Sequence, residues 1–556
     1  MSRSTNNRTG RKQSNSKSGK KGYNSRTAKP TTNKPSDEDT SKKSSNDPKW
    51  YGSDYAILRD SASINYSIPS GSILREMKLG YQAAIQQAFP GLYSLYACSG
   101  IGYSDDPSAP INVAANSIYS YVRHANSGHS NYDAPDLMIY LIAMSQVYAY
   151  INFLTRAYAV STLYGQKNRY LPDALMWSMS IDPNDAQVNG AKFRYGINVL
   201  VNKAASFAVP NNMPYFAREA FLYSGIYTEG SSIKDQLYII NPQAFLKYQL
   251  DSDEHYGCLD YVEYRKDDNH IYSVDELIAF GNSLLDPIIQ SEDMNIMSGD
   301  ILKAYGQDQL IKLSSVSEAT YVVPEFNITV LEQIKNARII GRPDFIGFGG
   351  PGSMDGSSKH VVDQASSQLH PYLISRPHVQ ISQYNIPDEA IARTCLVENP
   401  IVLTTTTPDP DVDVTIENTR FAVPFVEDGS KYRVYYASDY ITDASVFTAF
   451  FNQDTGSYYY DINHMSFINT TDLSGQYTGG VIHTWHRFGT LCHFDFAPLM
   501  YEIVIYKNPG DTEGQYYLEL VGDTDNFALV QPDTIIRMNE AAMLNLLHVD
   551  TIAKLG

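Results

Sequence analysis

The stretch that most constrains the fold is LMIYLIAMSQVYAYINFLT, residues 137–155, which carries no charge between Asp136 and Arg156. A helix that is apolar on every side has no face to give to water, so it belongs at the centre of a large core or in a bilayer. Ser145, Gln146, Asn152 and three tyrosines interrupt the run, and no second segment like it follows. The expectation is a buried central helix around which the rest of the chain packs, with a conditional membrane-active role as the alternative. At 556 residues the chain exceeds the roughly 250–300 residues at which single cores stop growing, so two packed regions are expected.

The spacing of apolar residues divides the chain by texture. Between residues 49 and 250 it is mostly helical. The run SILREMKLGYQAAIQQAF, from Ser72, is read as a helix stopped by Pro90-Gly91, and further helices are expected over 112–125, 134–163, 190–206 and 214–224, the last entered through Pro214. Ser273 and Glu276 have capping-box spacing ahead of LIAFGNSLL. After Pro400 the runs TIENTRFAVPFV, SKYRVYYA, VFTAFFNQ, EIVIYK and QYYLELVG are short, β-branched and aromatic, and turn residues separate them, which predicts strands. NEAAMLNLLHVDTIAKL returns to a helical period and is expected to pack back on the helical region. With no βα alternation and no internal repeat, the fold class is α+β.

Charge is divided as sharply. Residues 1–50 hold 13 Lys and Arg against 4 acids, a net of +9, while the remaining residues carry −27. Residues 1–48 have almost no large apolar side chain and cannot bury enough surface to offset the entropy of ordering, so they are expected to be a disordered basic arm. Arg3, Arg8, Arg11, Lys12, Lys17, Lys20, Lys21, Arg26, Lys29 and Lys34, spaced through Ser, Asn and Gly, suit neutralisation of nucleic-acid phosphates by a flexible chain, without sequence readout. A solvated tail that only aids solubility is the plainer reading. The start is not read as a signal peptide, because no apolar stretch follows its basic residues. Cys98, Cys258, Cys395 and Cys492 lie far apart without CxxC pairing, which points to a reducing compartment and best to the cytosol. The 43 tyrosines, each a large ring with a polar tip, suit extensive protein-protein contact or a Tyr-rich soluble fold.

Motifs that could carry chemistry are weak. Gly347-Phe348-Gly349-Gly350-Pro351-Gly352 has the GxGxxG form, but Pro351 and the following SMDGSSKH are loop composition, not the start of a helix that faces a pyrophosphate. In HTWHRFGTLCH, His483, His486, Cys492 and His493 crowd together, yet on a strand positions 483 and 486 point to opposite faces, so a zinc site is not expected. Asp409, Asp411 and Asp413 mimic the start of a calcium loop, but Val414 and Arg420 stand where Gly and Glu are needed. Neither an enzyme nor a cofactor is expected.

One resemblance adds to this reading. VPNNMPYFAREAFLYSGIYTEGSSIKDQLYIINP, residues 209–242, with its P-Y-F opening a helix and Lys234, Gln236 and Tyr238 in a K-x-Q-x-Y strand, resembles the capsid proteins of picobirnaviruses, which have double-stranded RNA genomes. EAIARTCLVENPI, from Glu389 to Ile401, is a second, helix-like echo. The resemblance implies a virion protein, assembled in the host cytoplasm, that forms homodimers and then an icosahedral shell of about 120 copies. It implies a helix-rich shell domain (49–250), a mixed region (251–535) containing the protruding domain, and a C-terminal helix (536–556) packing back on the shell. Viral RNA would be the partner of the arm, autoproteolytic loss of an N-terminal peptide and contact with host membrane during infection would be possible, and a shell-free cytosolic RNA-binding protein is the alternative. Arms at +9 in about 120 copies match the phosphates of about 540 base pairs, whereas this chain's own coding sequence needs about 1,670, so the arms would tether RNA rather than neutralise a genome.

Overall fold

The segment that has to be buried is the middle of a helix, α2 (Ala134–Ser161), with 94% of its most apolar window enclosed by protein. The structure, a computed structural model, describes residues 60–63, 70–71, 73–78, 84–88, 90–126, 131–163, 171–232, 234–250, 256–345, 360–365, 371–384, 386, 389–429, 431–452, 457–472, 489, 491, 494–506 and 515–549. The chain forms two units, Met1–Tyr66 and Ser67–Gly556, and every element named here lies in the second. Most polar side chains of α2 are hydrogen-bonded where they stand, Arg156 Nε excepted, which offsets the cost of burying them. Ser145 Oγ donates to the Ile142 carbonyl at 2.7 Å, Tyr140 to Ala208 at 2.8 Å and Tyr150 to Leu277 at 2.7 Å. Arg156 is fully enclosed and donates only to neutral acceptors: the Ile240 carbonyl at 2.8 Å, Asn241 Oδ1 at 2.6 Å and the Gly225 carbonyl at 3.2 Å. Burial pulls this guanidinium down to about 10.

The helices around α2 are α1 (Pro110–Ala125), α3 (Leu171–Ser178), α4 (Pro183–Val188), α5 (Gly190–Ala204), α6 (Pro214–Leu222), α7 (Val274–Gln290) and α8 (Glu292–Tyr305). The capping box expected at Ser273 is present: its backbone N–H donates to Glu276 Oε2 at 2.8 Å, and the Glu276 N–H returns to Ser273 Oγ at 3.4 Å. Tyr150 packs edge or tilted against Phe245 and Phe280, with centroids 5.2 and 5.1 Å away, and Phe153 meets Tyr264 at 5.0 Å. These rings make the tyrosine excess a core feature as well as a surface one. Gly281 of α7 lets it approach α5, because a Cβ there would lie 2.5 Å from Leu200 Cδ1 and 2.9 Å from Tyr150 Cε1.

The strands begin with β1 (Ile73–Lys78) and β2 (Ala84–Ala88), which pair antiparallel with Met77 opposite Ile85. This corrects the helix expected over SILREMKLGYQAAIQQAF. Gly80, midway along the run, costs a helix interior about 1 kcal/mol, and tertiary pairing overrides the remaining helical spacing. β3 (Leu92–Ser99) is the centre of a five-stranded sheet. On one side it pairs parallel with β5 (Leu237–Pro242), which pairs with β4 (Tyr227–Thr228); on the other it pairs antiparallel with β15 (Asp439–Asn452), which pairs with β16 (Ser457–Met465). This sheet therefore crosses the border drawn at residue 250, and a single buried cluster runs from Leu92 to Leu547.

Smaller sheets surround this frame. β6 (Ala244–Leu250) pairs with β7 (Gly257–Glu263), and β9 (Asp363–Ala365) with β10 (Tyr372–Ile374). β8 (Asp344–Phe345), β11 (Pro377–Gln380), β13 (Phe425–Asp428) and β14 (Lys431–Val434) form one sheet. β12 (Ile401–Thr405) pairs with β20 (Asn526–Val530), and β17 (Ile468–Asp472) with β18 (Met500–Tyr506), which pairs with β19 (Gln515–Val521). Of the strand expected over TIENTRFAVPFV only β13 forms. Its start is the helix α11 (Val412–Asn418), because Asp411 Oδ1 accepts the Val414 N–H at 2.9 Å and this cap outweighs β-branched composition. Two further helices are α9 (Ile328–Lys335) and α10 (Glu389–Arg393), the second continuing as a wide turn over Thr394–Glu398 in the stretch read as helix-like. The closing helix, α12 (Pro532–Leu546), lies against α1 and α6.

The ring cluster around α2 gives the first prediction. Tyr150→Ala should destabilise the protein by about 3–5 kcal/mol, read as a lower denaturant midpoint at unchanged slope; a cost below about 1 kcal/mol would mean that these rings do not hold α2.

Candidate assembly surface

The ten basic residues proposed to meet RNA, Gly347–Gly352, and the His483, His486, Cys492 and His493 cluster all lie outside the described residues. Asp409, Asp411 and Asp413 are solvent-exposed, and Asp411 is occupied as a helix cap. Among the described residues no three His, Cys, Asp or Glu side chains are arranged to hold a metal ion. Cys98, Cys258 and Cys395 are buried and are not joined in disulfides among the described residues. Tyr238 is fully buried: its hydroxyl donates to Glu229 and accepts the Phe496 N–H at 2.9 Å, so this residue of the resemblance ties β5 to the segment ahead of β18.

Several ionisable groups inside the protein are paired with one another, while Arg156 and Arg338 are held by neutral acceptors. Asp439, at the start of β15, is wholly enclosed and accepts from Arg218 of α6 at 3.2 Å and from Arg420 Nε at 2.9 Å. Burial would raise its pKa, and the two guanidinium charges outweigh that and hold it below the usual carboxylate range. Glu219, one residue along from Arg218, accepts from Ser99 of β3, while its Oε1 has no partner. Burial first, and then the Asp439 charge, push Glu219 up to about 7. Burial likewise pushes Glu229 up to about 7. His464 of β16 bridges two carboxylates, Asp443 at 2.8 Å and Asp268 at 2.7 Å, and these bonds raise its pKa. A cleft of about 570 Å³ beside α1 and α12 contains Asp105, Tyr103 and Arg433. Arg376 already donates to Asp105 at 2.7 Å, while Arg433 donates to Asp428 at 3.0 Å and lies over the Tyr103 ring. Arg376–Asp105 and Arg433–Asp428 thus pair charges from different elements at this cleft.

Among the described residues, β19 and β20 carry large apolar side chains left exposed on consecutive strands. Cross-strand pairing places Tyr516, Leu518 and Leu520 of β19 opposite Ile505, Ile503 and Tyr501 of β18 on one face. Tyr501 and Ile503 are buried there, as is Ile468 of β17, whereas the three β19 residues are exposed. Phe527 and Leu529 of β20, opposite Thr404 and Val402 of β12, are also exposed, while on the other face of that pair Ile401 and Val530 pack with Ile535 of α12. The sequence carries a sign of this: in QYYLELVG positions 516, 518 and 520 are all large and apolar, the period-two pattern of a strand with a covered face.

A mixed α+β frame with internally neutralised charges and large apolar strips left in water is that of a structural subunit. A solved structure described as an X-ray crystallographic structure of the picobirnavirus capsid has the same fold, with a TM-score of 0.72 over 91% of this chain and 100% of that one, at 20% identity. The family model for the picobirnavirus capsid protein matches residues 50–506. The chain belongs to the picobirnavirus capsid protein family, a family of structural virion proteins. A capsid protein precursor of human picobirnavirus (strain Human/Thailand/Hy005102/-) is 32% identical over 305 residues, 54% of this chain; the match spans 55% of that relative's length.

The two raised glutamates and the raised histidine set a sign for pH dependence. A carboxyl whose folded value is about 7 rather than 4.5 adds stability that is complete below about 4.5 and is lost as pH rises through 7. His464 acts in the same direction, losing its contribution above its raised value, whereas Asp439 and Asp443, held low, lose theirs only in strong acid. The unfolding temperature should therefore fall from pH 5.5 to pH 8.5, and Glu219→Gln, which can keep the Ser99 bond, should make the fall shallower. An identical slope in wild type and variant would remove Glu219 from the account.

Proposed function

We propose that this chain assembles as homodimers into an icosahedral shell around a double-stranded RNA genome, with its basic arm contacting RNA non-specifically. The observation that carries this reading is family membership over residues 50–506, joined to the change of charge at the boundary of that match, where +9 gives way to −27. A short cationic arm adds salt-sensitive affinity for phosphates, and an acidic body keeps duplex RNA from adhering to the wall, so the packaged genome can slide. Arg3, Arg8, Arg11, Lys12, Lys17, Lys20, Lys21, Arg26, Lys29 and Lys34 are the contacts, and mobile cations carry most of the remaining neutralisation. The helices around α2 supply the shell wall, and the strand pairs of the later chain supply the protrusion. The relative from human picobirnavirus is named a precursor, which favours maturation by cleavage, here of an N-terminal peptide, and intact mass of the purified subunit reads it directly.

The membrane reading is weaker: α2 would have to leave a core in which its hydroxyls, amides and Arg156 are already bonded. Full-length protein, sedimented and viewed by negative stain, should give closed particles whose absorbance at 260 nm reports bound nucleic acid. Deleting residues 2–36 should leave particles intact but poor in RNA. A discrete monomer or dimer under every salt condition would favour a cytosolic RNA-binding protein, and loss of particles on deletion would overturn the division between arm and shell.

A further inference from the structure

Of six large apolar side chains exposed on two consecutive strands, Tyr517, at 52%, lies on the opposite face of β19; the other five are Tyr516, Leu518 and Leu520 at 42, 37 and 39% on β19, and Phe527 and Leu529 at 57 and 62% on β20. Scattered exposed apolar residues are ordinary, but these are ordered. The three on β19 share one face and extend an apolar ladder whose inner members, Tyr501, Ile503 and Ile468, are buried. The two on β20 share the face that α12 does not cover. Only residues 522–525 separate the strands. Large side chains bury about 150–250 Å² each, so at these exposures the five leave roughly 400 Å² of apolar surface in water. One side of a standard protein interface is about 800 Å², a little over half of it apolar, so the strips supply about the apolar share of one side.

We infer that these strips are where a second copy of this chain docks, each copy offering the same strips across a two-fold axis. The inference rests on the self-assembly reading and assigns it a surface. The occupant follows from charge. No Lys or Arg occurs from residue 508 to residue 536, while Asp523, between the two strands, and Glu519, on the opposite face of β19, are exposed acids. Such a rim repels phosphates, both of nucleic acid and of anionic lipid. It does not oppose an apolar contact once salt screens it, because the Debye length shrinks from about 10 Å at 0.1 M to about 3 Å at 1 M. An isologous contact brings the same acids of both copies together. Added salt should therefore strengthen self-association through the strips while it weakens RNA binding by the arm, and these opposite signs separate the two interactions.

The test uses full-length protein and two double variants, Phe527→Glu/Leu529→Glu and the apolar Phe527→Leu/Leu529→Met. Both positions are more than half exposed, so each variant should match wild type in circular dichroism and unfolding midpoint. Sedimentation over a concentration series should show the acidic variant needing at least about tenfold more protein to associate, the apolar variant associating like wild type, and wild type associating at lower concentration as sodium chloride rises. A folded acidic variant that associates like wild type would overturn the inference. So would association unchanged in that variant together with lost binding to phosphatidylcholine vesicles, which would give the strips to lipid. Wild type that never associates would instead contradict the shell reading itself.

Discussion

The fold depends on the burial of α2. A helix apolar all round cannot be covered by one neighbour, so α1, α3, α5, α6, α7 and the β6–β7 pair all contribute to enclosing it. That demand fixes which positions are small and which are aromatic: Gly281 admits the close approach of α7 and α5, and the rings of Tyr150, Phe153, Phe245, Tyr264 and Phe280 fill the space between. Arg156 shows the strength of the requirement. Its charge is retained in the core without a carboxylate, and its donors tie the C-terminal half of α2 to β5 through Ile240 and Asn241.

From β5 the constraint passes through β3 to β15 and β16, so the helix-rich and strand-rich parts of the chain share a sheet. The junction is sealed electrostatically. Arg218 of α6 and Arg420, which follows α11, both bind Asp439, while Glu219 leans on Ser99 of β3. Breaking one member of such a buried set leaves the others uncompensated, which makes the junction specific rather than merely adhesive.

Much of this was legible in the sequence, and the failures are local. The apolar run of α2, the cap at Ser273, the helix entry at Pro214 and the β-branched runs at β15, β18 and β19 appear where the spacing placed them, because burial and local chemistry agreed there. SILREMKLGYQAAIQQAF misled because its helical spacing ignored Gly80, and the start of TIENTRFAVPFV misled because composition was weighed above the Asp411 cap. The sheet that crosses residue 250 could not be read at all, since pairing between residues more than 300 apart leaves no mark in local periodicity. For the assembly surface the opposite holds. The alternation of Tyr516, Leu518 and Leu520 along β19 is that of a strand with a covered face, but a single copy of the chain leaves that face in water.

That contrast defines the central claim: the core around α2 is complete within one copy, whereas the apolar strips of β19 and β20 are completed only by another. Hydrogen exchange followed by mass spectrometry, on dissociated subunits and on assembled particles, tests both halves at once. Peptides over residues 137–155 should exchange slowly in both states, and those over 515–530 should gain protection only on assembly. Rapid exchange of 137–155 in the free subunit, or unchanged exchange of 515–530 between the two states, would contradict the account.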